Sequence, residues 1–150
     1  MTNQSGRIAL VVARFNSMVT EQLLDGAEQA LTDAGFGSDA RDVFHVPGAW
    51  ELPQAAERIA DTGSYAAIIA LGCVIRGETA HFDYVAARAN DGLGDLASRS
   101  RIPVLFGVLT TENAEQALER ADMRAGNKGG EVAEAALEMM TLLRSLEASS

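Results

Sequence analysis

His81 stands five residues after an arginine and three after a glutamate, in the run ALGCVIRGETAHFDYVA from Ala70 to Ala86. An imidazole titrates near neutral pH and can pass protons between reacting groups. Gly77 and Thr79 precede it at the start of a helical pattern. Backbone N–H groups and a hydroxyl in that position can hold an anion. The plainer roles are a helix cap for Thr79 and a hydrogen bond to a backbone carbonyl for His81. Phe15 and Trp50 follow two other apolar runs, and two ring faces at one rim could grip a flat heterocycle; both could instead cap the core. Glu51 can accept from ligand hydroxyls or sit as a first-turn carboxylate favoured by the helix dipole. Arg120, Arg124 and Lys128 fall within nine residues of a chain whose net charge is −9. Paired arginines suit a phosphate or another dianion; solvated surface arginines are the bland alternative. Lys128 is the only lysine among twelve basic residues and lies in the flexible AGNKGG.

Other chemistries lack their signatures. The chain has no cluster with metal-ligand spacing, no Ser/His/Asp nucleophile elbow and no C-x-x-C. It also lacks both the G-x-x-x-x-G-K-[ST] and the G-x-G-x-x-G phosphate loops. Cys73 is the single cysteine and sits in an apolar run, so it reads as a buried inert thiol. His45, within another apolar run, reads as structural.

These residues are positioned by a simple alternation. Arg7–Phe15 (RIALVVARF) is rich in branched aliphatics, as a strand buried on both faces should be. SMVTEQLLDGAEQALTDAG has apolar residues at helical spacing, closed by Gly35. Ala40–Val46, Tyr65–Ile75 and Pro103–Thr111 are three further strands. The segments after them are helical, with Pro53 tolerable only in a first turn. After a short helix over ENAEQALERA, AGNKGG breaks the chain, EVAEAALEMMTLLRSL forms the last helix, and the tail EASS frays. Strand–helix alternation of this kind builds a parallel sheet with helices on both faces. The expected fold is therefore an α/β three-layer sandwich with a four-stranded parallel sheet in the flavodoxin-like order 2-1-3-4. In such a sheet the polar segment after every strand lies along the carboxyl edge, where open α/β proteins bind ligands.

Composition sets the outer bounds. A length of 150 residues fits one domain spanning 1–150. Apolar residues make up 47% and the mean hydropathy is +0.03, values of a globular chain with no apolar run long enough to cross a bilayer. The acidic balance disfavours nucleic acid as a partner. The start of the chain has no basic region before its apolar run, which points to a cytoplasmic protein without a membrane partner.

Taken in order and spacing, RFN, VPGAWELP, ALGCVIRGETAHFDYVA, FGVLTTENAEQALERA and AGNKGGEVAEAALEM resemble the lumazine synthase family, from about Arg7 to about Leu146. The resemblance implies a transferase of riboflavin biosynthesis. It would condense 5-amino-6-(D-ribitylamino)uracil with 3,4-dihydroxy-2-butanone 4-phosphate to 6,7-dimethyl-8-ribityllumazine, releasing phosphate and water, with no cofactor. It implies that Phe15 stacks on the pyrimidine, with Trp50 nearby. Ala49 and Glu51 would hold the ribityl chain and ring edge, and Cys73, Val74 and Ile75 would line the pyrimidine slot. Glu78, Thr79 and Arg120 would bind the phosphate. His81 would move protons, oriented by Glu131. Asn16, Phe106 and Lys128 also match family site positions, the last two supplied across a subunit boundary. The partners implied are these small molecules and further copies of the chain: a homo-oligomer with a pentamer as its minimum and a sixty-subunit shell as its larger form. RADMRAGNKGG is uninterrupted, whereas pentamer-only relatives lengthen this segment, which favours the shell. The short segment ahead of Arg7 pulls the other way, because in many relatives it adds a strand to a neighbour's sheet. Arg124 stands where many relatives carry lysine. The alternatives are a flavin- or lumazine-binding module without turnover, a shell-forming storage protein, and an aldolase using Lys128 as a Schiff base.

Overall fold

The structure, a computed structural model, describes residues 6–148. Its four strands are β1 (Arg7–Ala13), β2 (Arg41–Val46), β3 (Tyr65–Ile75) and β4 (Val104–Thr111). They form one parallel sheet in the order β2-β1-β3-β4, as expected. Five helices alternate with them or follow: α1 (Ser17–Asp33), α2 (Leu52–Asp61), α3 (His81–Arg99), α4 (Ala114–Ala121) and α5 (Lys128–Ala148). Among the described residues, no helix is long and apolar enough to cross a membrane.

The alternation of side chains along the strands divides the core in two. Leu10, Val12, Ile69, Leu71 and Cys73 point to one face, where Leu23, Leu31, Val132, Ala136 and Met140 cover them. Val11, Ile68, Ala70 and Val74 point to the other, under Leu52, Ala56, Leu93 and Leu96. One layer is thus α1, α4 and α5; the other is α2 and α3. Each fully buried leucine contributes on the order of 1.5–3 kcal/mol by leaving water, and β1, buried almost throughout, is held from both sides.

Element ends depart from the sequence reading in five places. β1 stops at Ala13, because Arg14 and Phe15 turn to bond β2's exit instead. β2 and β4 each begin one residue later than expected, at Arg41 and Val104. α5 starts at Lys128, three residues before Glu131, so Gly129 and Gly130 of AGNKGG lie inside its first turn. The reason is packing. A Cβ on Gly129 would overlap the Leu23 carbonyl of α1, so a glycine is what allows the two helices to cross there. Asn127, left-handed at φ 46°, accepts from the Gly130 N–H at 3.3 Å and so helps start the helix. At the other end, EASS is helical through Ala148. Ser149, Ser150 and the leading residues 1–5 lie outside the described residues.

Candidate functional site

The carboxyl edge of the sheet is built by mutual ties between its turns. The Arg14 and Phe15 N–H groups donate to the carbonyls of Val46 and Pro47 at 2.8 and 3.0 Å, so the exits of β1 and β2 move as one. Asn16 adopts φ 65°, a left-handed state that asparagine tolerates better than most residues. Its side-chain amide donates to the Cys73 carbonyl at 2.8 Å, joining β1's exit to β3. After β2, residues Ala49–Glu51 form a single 3-10 turn, and Glu51 Oε1 accepts from the Gly48 N–H at 3.0 Å. That bond closes the turn that carries Trp50 and leads into α2 with Pro53 in its first turn.

β3 gives way to a polar loop, Arg76–Ala80, before His81 opens α3. Arg76 anchors the loop. Its guanidinium meets Glu112 at 3.2 Å and Asp83 at 3.8 Å and lies 4.5 Å from the Phe82 ring centre. Thr79 Oγ1 accepts from the His81 N–H at 3.2 Å. Gly77, Glu78 and Thr79 are exposed.

A cleft of about 540 Å³ opens between these turns, lined by Phe15, residues 47–51, His81, Tyr84 and Val85. Phe15 is 71% exposed and Trp50 51% exposed, so neither caps the core. Five residues singled out in the sequence meet here: Phe15, Ala49, Trp50, Glu51 and His81. Tyr84 and Val85 had been given no role. They follow His81 by three and four positions in one helix, and helical periodicity alone places them on its face. The hollow at the opposite edge of the sheet, about 510 Å³, is walled by Tyr65, Leu96, Pro103, Met140 and several arginines and contains none of these groups.

The remaining candidates lie elsewhere in the chain. Val74 shares the buried face beneath α2 and α3, whereas Cys73 and Ile75 pack on the α1–α5 side. Of the three, only Val74 shares the α2–α3 layer with the cleft. Burial pushes the Cys73 thiol up to about 11, which keeps it protonated and unreactive at neutral pH. Phe106, on the outer strand β4, is 38% exposed.

Arg120 ends α4, and Lys128 and Glu131 begin α5, so all three stand in the layer across the sheet from α2 and α3. Lys128 Nζ donates to Glu131 Oε1 at 2.8 Å. A Cβ on Gly126 would overlap the backbone of Arg120, so the turn 122–127 folds closely onto the end of α4. Arg124 lies in that turn rather than on a helix with Arg120, and its backbone N–H donates to Asp122 Oδ1 at 2.8 Å. His45, read as structural, approaches Glu21 at 3.7 Å on the surface. Among the described residues, no group of three or more His, Cys, Asp or Glu side chains is placed to hold a metal ion.

In chemical terms, the cleft offers ring faces, a carboxylate, a proton-transfer group and a helix start in one hollow, and a separate cationic turn in the opposite layer. In comparison with known proteins, the family model described as 6,7-dimethyl-8-ribityllumazine synthase matches residues 5–144, nearly the whole chain.

Proposed function

The chain belongs to the 6,7-dimethyl-8-ribityllumazine synthase family, and we propose that it is an active cytoplasmic transferase condensing 5-amino-6-(D-ribitylamino)uracil with 3,4-dihydroxy-2-butanone 4-phosphate. The observation that carries this reading is the convergence of Phe15, Trp50, Glu51 and His81 on one cleft. The pyrimidine stacks on the exposed Phe15 ring, with Trp50 as the second wall and Val74 beneath. Ala49 and Glu51 hold the ribityl chain; Glu51 spends one oxygen on Gly48 and offers the other.

The reaction joins two molecules, so holding them in contact supplies much of the acceleration. The substrate amine attacks the ketone carbonyl and one water leaves as an imine forms. Loss of the proton from the adjoining carbinol carbon expels phosphate, and the resulting enol becomes a ketone. The ribityl-bearing nitrogen closes the second ring on that ketone with loss of a second water. His81, at the mouth of the cleft, gives and takes the protons these steps require, a contribution of roughly 10²–10⁴-fold. Glu78 and Thr79 place the departing phosphate at the start of α3, where helix N–H groups favour negative charge.

The cations Arg120 and Lys128 stand across the sheet. Hence the complete site forms between two copies, with Arg120, Lys128, Glu131 and Phe106 of a neighbouring copy facing the cleft. Glu131 then divides its carboxylate between Lys128 and His81. A pentamer is the smallest ring that serves this role in the proposal, and a closed shell of such rings is its extension. Mixing the protein with both substrates and following lumazine fluorescence together with phosphate release tests the function. Product formation is the expected result. Tight binding of the pyrimidine with no product would replace the enzyme with a binding module.

A further inference from the structure

α3 presents His81, Tyr84, Val85 and Arg88 at successive helical spacings, so the four form one stripe. The first three line the cleft and Arg88 does not. Its guanidinium carbon lies instead 5.6 Å from the centre of the Trp50 ring. Two features of the surroundings bring this about. Gly92, one turn beyond Arg88, has no side chain, and a Cβ there would overlap Pro53, so α3 lies directly against the start of α2. Trp50 sits three residues before that proline and is carried to the same place. Glu57, a carboxylate in the adjoining groove, is taken by Arg99 at 3.2 Å. Arg88 makes no ion pair among the described residues, and its partner is the indole.

The geometry points to Arg88 as a positioning residue that acts through Trp50, backing the indole so that the wall facing Phe15 stays at a fixed width. An indole is the ring that a cation holds best, and guanidinium combines charge with a flat surface suited to stacking. Without this backing, Trp50 is an exposed side chain on a short turn, free to swing, and a stacked heterocycle loses one of its two walls. His81 shares the helix with Arg88, so the proton-transfer group and the backed wall are set by one rigid element. The role in catalysis rests on the function proposed above; the hold on Trp50 does not.

Trp50 is the only tryptophan in the chain, so its emission reports this contact without interference. Arg88→Ala and Arg88→Lys are compared with the parent by tryptophan anisotropy, acrylamide quenching and steady-state kinetics. Arg88 is exposed, and thermal melts of both variants confirm that they fold. For Arg88→Ala, anisotropy falls and the quenching constant rises. KM for the pyrimidine increases about two- to fivefold, the scale of one exposed cation–π contact. kcat and KM for the phosphorylated substrate stay as in the parent. Arg88→Lys, which keeps the charge but not the plane, recovers part of each change. Unchanged anisotropy and quenching in Arg88→Ala overturn the inference, and so does a loosened Trp50 with an unchanged pyrimidine KM. Failure of the proposed reaction shows separately, as absence of product from the parent protein, and the Trp50 readouts then decide the positioning role alone.

Discussion

The Asn16 side-chain amide donates to the Cys73 carbonyl at 2.8 Å, and through this bond the exit of β1 is tied to β3 just before the Arg76–Ala80 loop. The bond spans 57 positions of sequence and fixes the Phe15 turn relative to the strand that leads to His81.

Substitutions at Asn16 separate its two contributions. Asn16→Gly keeps the left-handed backbone and loses the bond, a cost of about 0.5–1.5 kcal/mol. Asn16→Ala loses the bond and adds strain at φ 65°, bringing the cost to about 2–3 kcal/mol. Asn16→Asp turns a carboxylate toward a carbonyl and is the worst of the three at neutral pH. Urea unfolding of the series gives the order Gly, Ala, Asp, and equal midpoints would show that the tie contributes nothing.

His81→Ala is expected to lower kcat by about 10²-fold or more, with KM for both substrates nearly unchanged. Steady-state turnover followed by lumazine fluorescence measures both quantities. A variant as fast as the parent removes His81 from proton transfer.

Arg120→Ala should weaken the phosphorylated substrate about tenfold or more, as expected for loss of a charge-assisted bond, and leave the pyrimidine unaffected. If cleft and cation come from different copies, two impaired variants can complement one another when the phosphorylated substrate is held well below its KM. His81→Ala and Arg120→Ala, unfolded together and refolded at equal concentration, should form sound sites at about a quarter of positions, because one site in four pairs an intact cleft with an intact cation. Activity no greater than the average of the separate variants would assign both groups to the same copy or to none.

Acid sensitivity has a traceable source at the amino edge of the sheet. Asp42 accepts from Arg7 at 2.6 Å and from the Tyr65 hydroxyl at 2.6 Å. These donors, Arg7 foremost, hold its carboxyl below the ordinary range. A depressed folded-state value means stability that is present above the unfolded pKa, about 3.9, and lost as pH falls through the folded one. Asp42→Asn should therefore be less stable than the parent at neutral pH, and the gap should close below about pH 4. Denaturant midpoints for the pair at several pH values provide the measurement; a gap constant in pH would deny the charge any part.

The order of the sheet and the meeting of Phe15, Trp50 and His81 were legible in the sequence for one reason. Alternating strands and helices force every strand exit onto one edge, and those residues stand at the exits. Three things were not legible. The side of the sheet taken by Cys73, Val74 and Ile75 depends on pleat register, which an all-apolar run such as YAAIIALGCVI does not reveal. The start of α5 was missed because glycines usually end helices. Here Gly129 is inside one, and only the position of the Leu23 carbonyl explains why. Arg120 and Lys128 were rightly read as close in the chain. Nothing in that spacing told which layer would carry them.

The turn 122–127 closes back on the end of α4, with Gly126 pressed onto Arg120, and just beyond it Gly129 seats the first turn of α5 against Leu23. A residue added between these clamps has no slack to draw on and no room inward, so extra length must bulge into the surroundings. If the site is completed by a second copy, as proposed, the number of residues in this short arch would set how near that copy can come to the cationic end of this one.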